Sequence, residues 1–393
     1  MRLSPVNVKS RNRSPGIQLK SKDRLVQFSI AMPIFGQAQF LPTALASIRA
    51  QASSIELAVM DATPDDSVQG VLDDHRDILS YHRHGPDKGQ SAAIQEGWDH
   101  TCGDIVAWLC ADDYYFPYTL KEVERIFVER PDIDVVYGDC VFVDQNGQFS
   151  RYFPEISDDI SLIKRSCCIS QPSCFVRRKA LEKAGPVNPD LHYIMDWDLW
   201  TRLYETGAKF YYLKKPLSAV RMYQETKTAS GSKARYIEIF NHLKHNTDLK
   251  HTIRSMVGFY YQDLLSKHRS FSEQSAFHGI NLIRFIKGLL HRRSLSKRRA
   301  LYGVDSYSDQ VQGECEIFLP WYKDAVPHEL FIQCKGTANL DVCINGYPAR
   351  ALSKCDEKFV YIGSDLDIAG NLIHIRLLTP DNSSWQLLAL HLA

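Results

Sequence analysis

The chain has 393 residues, a formal net charge of +1 and 44% hydrophobic residues. That is room for two or three domains at an ordinary globular composition. A balance so near zero gives no general case for nucleic-acid binding, because no excess of basic side chains faces the phosphates. No run approaches the eighteen or so apolar residues that span a bilayer. Residues 1–24, rich in Arg, Lys, Ser and Pro, read as a mobile leader without the apolar core of a signal peptide. The 10 cysteines show no C-x-x-C pairing and lie mostly in apolar surroundings. They read as reduced core thiols of a cytoplasmic protein.

The first predicted strand is Val26 to Pro33, closed by Pro33 and Gly36, and a helix follows with Leu41, Leu45 and Ile48 at helical spacing. Ile55 to Met60 is a second buried strand with Asp61 at its carboxyl end. The turn Ala62-Thr-Pro-Asp-Asp-Ser67 feeds a helix carrying Val68, Val71 and Leu72, and Ile78 to His82 is a third strand. Gly85-Pro-Asp-Lys-Gly-Gln-Ser91 then turns into a helix that packs Ala93, Ile94 and Trp98.

The next stretch, Gly103-Asp-Ile-Val-Ala-Trp-Leu-Cys-Ala-Asp-Asp113, is the centre of the chain. Ile105 to Leu109 suits a strand buried on both faces, and it ends in two adjacent carboxylates. In open α/β sheets ligands bind at such carboxyl ends. Paired hard oxygen donors on a short loop suit Mg²⁺ or Mn²⁺ bridging to a diphosphate. The same pair would also serve as a solvated acidic turn. The β-α-β-α-β order predicts a doubly wound, mostly parallel sheet, with Asp61 and the Asp112–Asp113 pair on one edge.

Further on, Tyr118 to Glu129 reads as a helix, and Val135 to Gly138 and Cys140 to Val143 as strands before a hairpin turn at Asp144 to Gly147. Ser170 to Val176 is another strand, and Lys179 to Ala184 a short helix. A helix from about Ile194 carries Met195-Asp-Trp-Asp-Leu-Trp-Thr-Arg202, and strands at Tyr211 to Leu213 and Leu217 to Arg221 close this part.

Over roughly residues 25 to 228 the sequence resembles an inverting family-two glycosyltransferase of the GT-A fold. The resemblance is carried by Asp61-Ala-Thr-Pro-Asp-Asp-Ser67, Asp87-Lys-Gly-Gln-Ser91, Gly103 to Asp113, Val136-Tyr-Gly-Asp139, Gln171-Pro-Ser173 and Met195 to Arg202. It implies a metal-dependent enzyme that moves a sugar from a nucleoside-diphosphate sugar to a hydroxyl of a glycan or lipid-linked acceptor, in cell-surface polysaccharide or lipid-linked glycan synthesis. By position, it assigns Asp61 to the nucleotide base, Pro33 and Phe35 to the floor of that pocket, and Lys88 to the nucleotide. Asp112 falls to ribose or sugar, Asp113 to the metal (Mg²⁺ or Mn²⁺) and Asp196 to the catalytic base, while Gln171 and Trp197 line the sugar or acceptor side. Asp198 competes with Asp196, and the motif's register favours Asp196; a salt bridge or cap is the structural alternative for Asp198.

Two departures stand out. Ala62-Thr63 replaces the family's Gly-Ser after the second strand, and Arg221-Met-Tyr223 replaces a frequent Arg-x-His, whose histidine can approach the metal. Two other functions compete. A nucleotidyltransferase would need a glycine-rich basic loop after the first strand, which Pro33 to Gln37 lacks. A noncatalytic carbohydrate-binding protein would not need Asp196.

The rest of the chain divides at the sequence level into a helical segment, 229–305, and an all-β sandwich, 306–393, after a transferase domain at 25–228. Within the helical segment, 280–299 forms an apolar stripe followed by basic residues. That pattern fits either a packed helix or peripheral contact with the inner face of a membrane. Trp321, Tyr322 and Trp385 are candidate sugar platforms or packing residues in the sandwich.

Overall fold

The computed structural model describes residues 26–153, 156–223, 225–227 and 233–266, then 301–304, 310–320, 329–336, 340–344, 347–355, 358–362, 372–380 and 382–392. The expected leader, the stripe at 280–299, and Trp321 and Tyr322 lie outside them.

The first sheet has nine strands: β1 (Gln27–Ile34), β2 (Ser54–Asp61), β3 (Leu79–His84), β4 (Ile105–Trp108), β5 (Tyr114–Tyr115), β6 (Val135–Val143), β7 (Phe149–Tyr152), β8 (Cys174–Arg177) and β9 (Phe210–Arg221). Their order is β3-β2-β1-β4-β8-β6-β9-β5, with β7 beside β6. The β3-β2-β1-β4 half is parallel throughout, and β6 and β9 form a long parallel pair. Antiparallel joins occur at β8, β5 and β7. The predicted doubly wound α/β sheet is thus present.

Alternation along the strands separates two cores. On one face Phe28, Ile30 and Met32 of β1 meet Leu41, Leu45 and Ile48 of α1 (Leu41–Arg49), Leu72 of α2 (Gln69–Asp74), and Leu120, Val123 and Phe127 of α4 (Thr119–Glu129). On the other, Ala31 and Ala58 leave room for Ala93, Ile94 and Trp98 of α3 (Gln90–Asp99). That second core continues into α5 (Arg178–Ala184) and α6 (Met195–Glu205), through Leu181, Trp197, Trp200 and Leu203. Side chains of period two on strands and 3.6 on helices therefore bury both faces of a parallel sheet. Gly103 lets β4 start against β1. A Cβ there would meet Ser29 Oγ at 2.7 Å and the Gln27 carbonyl oxygen at 2.8 Å.

Two sequence readings needed joining. β6 runs unbroken through Asp139, which is 2% exposed and accepts a hydrogen bond from the Tyr212 hydroxyl. A buried acid inside a strand looks like a break only until that phenol is known. β9 likewise continues through Pro216, where the pairing with β6 shifts register to accommodate the missing N–H. The predicted strand at Ser170 begins instead as a 3-10 turn, Gln171–Ser173, before β8.

Two helices follow among the described residues, α7 (Lys233–Asn246) and α8 (Leu249–Ser266). No described helix is long and apolar enough to cross a membrane. A second sheet, all antiparallel, contains β10 (Leu301–Val304), β11 (Gln310–Pro320), β12 (Glu329–Lys335), β13 (Asp341–Ile344), β14 (Tyr347–Pro348), β15 (Arg350–Cys355), β16 (Lys358–Ile362), β17 (Leu372–Leu378) and β18 (Ser384–Leu392). β11 joins its two halves, pairing β17 through 314–320 and β18 through 310–312, and both halves feed one core around Ile317, Ile332, Ile375 and Trp385. Trp385, 1% exposed, is a packing residue. β11 also reaches the first sheet. Phe318 packs with Tyr114 and Phe116, and the Tyr152 hydroxyl donates to the Phe318 carbonyl at 2.9 Å.

Candidate functional site

The carboxyl ends of β3, β2, β1 and β4 form one edge. Across it stand, in order, His84, Asp61, Phe35 and the loop holding Cys110, Asp112 and Asp113. Three strand spacings separate the two ends, about 14 Å.

Asp61 is fully buried and internally satisfied. Its Oδ1 accepts from the Thr63 amide at 2.9 Å, and its Oδ2 lies 2.6 Å from His84 Nδ1. The Thr63 hydroxyl accepts from the Gly36 amide at 2.9 Å. The turn that lacks the family's glycine is therefore an Asx turn, and neither Ala62 nor Thr63 needs positive φ. After β1 the chain does enter the left-handed region, at Gly36 (φ 79°) and Gln37 (φ 59°). The Gln37 side chain accepts from the Phe35 amide at 3.0 Å and leaves the Phe35 ring 68% exposed. Pro33 sits inside β1 opposite Met60. Lys88 is exposed in the turn before α3.

The acid pair is built differently. Asp113 is 6% exposed, and among the described residues its Oδ1 accepts only from the Arg221 amide, at 3.1 Å. Asp112 Oδ2 accepts from the Tyr223 hydroxyl at 2.8 Å, and its carbonyl from Arg221 Nε at 3.2 Å. Arg221 is itself held over the Phe40 ring, 4.5 Å from the centroid. Burial raises both carboxyls, Asp113 well above the usual range, and the charge of Asp112 pushes Asp113 further. The Tyr223 and Arg221 contacts only partly oppose this. Donor atoms of Cys110, Asp112 and Asp113 lie within 4.8 Å of one another. Burial also drives the Cys110 thiol well above its ordinary value, so it stays protonated and is a poor donor to a hard ion. Two under-compensated carboxylates fit a divalent cation with oxygen preference.

Asp196 lies in the first turn of α6, where its Oδ1 accepts from the Trp197 amide at 2.7 Å. Burial raises its carboxyl to about 6. The start of α3 links its segment to the loop of the acid pair: Ser91 Oγ donates to the Leu191 carbonyl at 3.1 Å and lies 3.2 Å from Met195 Sδ, while the adjacent Gln90 reaches Cys110 Sγ at 3.3 Å. Asp198 is occupied elsewhere, accepting from Arg202 Nε at 2.9 Å. Gln171 donates to the Trp108 carbonyl at 2.6 Å and sits 3.7 Å from Cys110 Sγ. It therefore adjoins the end of β4.

Trp197 is a correction. It is 1% exposed, donates Nε1–H to the Ile163 carbonyl, and packs on His242 (4.5 Å) and Phe259 (5.5 Å). One residue along a helix turns the side chain by about 100°, so Trp197 enters the core against α7 and α8 instead of lining the acceptor side.

Three further residues belong to the crevice. Glu238 of α7 accepts from the amides of His192, Tyr193 and Ile194 at 3.0, 2.8 and 3.3 Å, fixing the loop that delivers Asp196. Lys227 donates to Gln90 Oε1 at 2.8 Å, and Gln90 in turn reaches Cys110 Sγ at 3.3 Å. Tyr223 grips Asp112. Only Tyr223 carried a sequence signal, the Arg-x-Tyr departure; Glu238 and Lys227 are lone charges with no local pattern. A separate cavity of about 670 Å³, lined by Tyr137, Phe210, Tyr212 and Glu316 among others, contains none of these acids.

The family model described as Glycosyl transferase family 2 matches residues 29–185. An uncharacterized glycosyltransferase of Nostoc sp., alr2836, is 27% identical over 195 residues, 44% of this chain and 56% of the relative. O-antigen biosynthesis protein RfbC of Myxococcus xanthus is 29% identical over 213 residues, 52% of this chain and 16% of the relative. The chain thus spans about half the length of one curated relative and a small part of the other. Among solved structures, a mannosyltransferase of Pyrobaculum calidifontis in complex with GDP-Man and Mn²⁺ aligns at TM-score 0.46 and 14% identity, covering 68% of this chain and 82% of that one. TarS of S. aureus in complex with UDP-GlcNAc aligns at TM-score 0.45 and 17% identity, covering 64% and 78%.

Proposed function

From a chain that belongs to glycosyl transferase family 2 through residues 29–185, we propose a metal-dependent inverting glycosyltransferase that moves one sugar from a nucleoside-diphosphate sugar to a hydroxyl acceptor. The observation that carries this reading is the under-compensated pair Asp112–Asp113 on a loop that Gln90 and Ser91 tie to the segment carrying Asp196, whose carboxyl is raised to about 6.

Asp113, with Asp112 beside it, would hold Mg²⁺ or Mn²⁺, which offsets the negative charge that grows on a leaving diphosphate. Asp112, steadied by Tyr223, faces ribose or sugar. The base lies toward Asp61 with Phe35 as platform and Pro33 behind it, and Lys88 borders the nucleotide. Asp196 takes the acceptor proton as the new bond forms. Attack by the acceptor oxygen opposite the leaving group inverts the anomeric centre in one step, with no enzyme nucleophile. Gln171 borders the sugar side. We place the activity in cell-surface polysaccharide or lipid-linked glycan assembly, at the cytoplasmic side, consistent with the O-antigen role in one relative's name.

The test is a pair of variants. Asp196→Asn should bind the donor with unchanged affinity and lose about 10²–10⁴-fold in kcat, whereas Asp113→Ala should lose Mn²⁺-dependent donor binding. Normal turnover by Asp196→Asn would move the base elsewhere.

A further inference from the structure

We propose that the atom reading the nucleobase is His84 Nε2, not the Asp61 carboxylate. The donor base would then be one with a ring N–H beside a carbonyl: uracil, thymine or guanine. The inference rests on the nucleotide-sugar reading above and names its donor class.

Asp61 cannot meet a ligand directly. It is 0% exposed, with one oxygen on the Thr63 amide and the other 2.6 Å from His84 Nδ1. The pair is built into the sheet: β2 and β3 register Asp61 opposite His84, and the Gly85 amide donates to the Asp61 carbonyl at 2.9 Å. The His84 side chain is 43% exposed. A carboxylate at that distance requires the hydrogen on Nδ1, because two acceptors would repel. In the neutral ring Nε2 then carries a lone pair on the side away from Asp61, and it has no partner among the described residues. Asp61 thus sets the tautomer, and His84 presents an acceptor to solvent. Its place is the end of the edge farthest from the acid pair, with the exposed Phe35 ring between them. That is the order base, platform, diphosphate along an extended nucleotide.

An outward acceptor selects by complementarity. N3–H of uracil and thymine and N1–H of guanine can donate to it. Adenine N1 and cytosine N3 bring a lone pair to that same position, and their exocyclic amino groups reach Nε2 only with the base displaced along its edge.

The test measures binding of UDP, TDP, GDP, ADP and CDP with Mn²⁺ by titration calorimetry, alongside inorganic pyrophosphate with Mn²⁺. The wild-type chain should favour UDP, TDP or GDP over ADP and CDP by roughly tenfold or more. It should also lose that margin when the best base is methylated on its ring N–H. His84→Ala should bind pyrophosphate unchanged and no longer distinguish the methylated base, and His84→Gln, which restores an acceptor near Nε2, should recover part of the selectivity. A wild-type preference for ADP or CDP, or unchanged selectivity in His84→Ala, overturns the proposal while leaving sugar transfer standing. Failure of every nucleotide and of pyrophosphate to bind overturns the underlying reading and this one with it.

Discussion

Two ends of one sheet edge treat a buried carboxylate in opposite ways. At the β2–β3 end, Asp61 is completely enclosed yet fully answered, by an amide at 2.9 Å and an imidazole at 2.6 Å. At the β4 end, Asp112 and Asp113 share one phenol and one amide between them, and burial raises both. An ion that the protein compensates is structural and can orient a neighbour. Acids that it leaves uncompensated cost folding free energy, and such a cost is sustained where an external cation or a reacting proton supplies the missing partner. The second arrangement points to chemistry, the first to recognition.

The sharpest way to break this contrast is to neutralise one acid at each end. Asp113→Asn should abolish metal-dependent turnover, a loss of about 10³-fold or more if the cation supplies several kcal/mol of charge stabilisation. In metal-free buffer it should nevertheless raise Tm, because it removes a buried charge held by only one amide. Asp61→Asn should lower Tm, by about 1–3 kcal/mol of stability, because it disrupts a satisfied network. Thermal melts with EDTA decide it: a lower Tm in Asp113→Asn would mean that the pair is compensated by something else.

Asp196 gives the next largest effect. Its carboxyl is raised to about 6, chiefly by burial. A base must be ionised, so kcat should fall roughly tenfold per pH unit below about 6 and level off above it. Folding linkage runs in the opposite direction. The unfolded carboxyl ionises near pH 4 and the folded one near 6, so the unfolded state binds fewer protons between them and stability falls as pH rises through that window, by about 3 kcal/mol in total. Asp196→Asn should flatten this slope. A pH–rate profile together with denaturant melts at pH 4.5 and 7 checks both signs, and a flat rate profile would remove Asp196 from the proton transfer.

The contrast also shows what local sequence can encode. The run from Ile105 to Leu109 announces a two-sided buried strand, and the acids after it must fall at the ligand edge, so the acid pair was legible. Asp61 was legible as a strand-end acid, but its enclosure was not, since His84 lies twenty-three residues away and reads, with His82, as one of two histidines near a strand end. Trp197 failed for a related reason. Periodicity says that α6 has an apolar face, but which neighbour covers it depends on α7 and α8, which come later in the chain. In the second sheet, Cys315 and Ile317 of β11 face the core. Glu316, on the other face, is 7% exposed because Lys215 of β9 (2.7 Å) and His374 of β17 (3.2 Å) meet it there. A contact between sheets has no signature in either strand.

Tyr223 provides the smallest and most specific test. A phenol in place of histidine is a poor metal ligand, and its hydroxyl instead donates to Asp112 Oδ2 at 2.8 Å while its ring packs on Phe40 at 4.9 Å. It therefore acts through Asp112, fixing the carboxylate's orientation and removing part of its burial cost. Tyr223→Phe keeps the ring and deletes only the donor. The lost hydrogen bond to a charged group is worth about 1.5–3 kcal/mol if Asp112 stays ionised and dry, and less if water replaces the phenol. Because the proposal assigns Asp112 to the sugar or ribose and Asp113 to the cation, the loss should appear in the affinity for the intact donor and not in the affinity for Mn²⁺ with pyrophosphate. Titrations of Tyr223→Phe with both ligands separate the cases. An equal loss for each would assign the two aspartates to a single cation site and erase the division of labour between them.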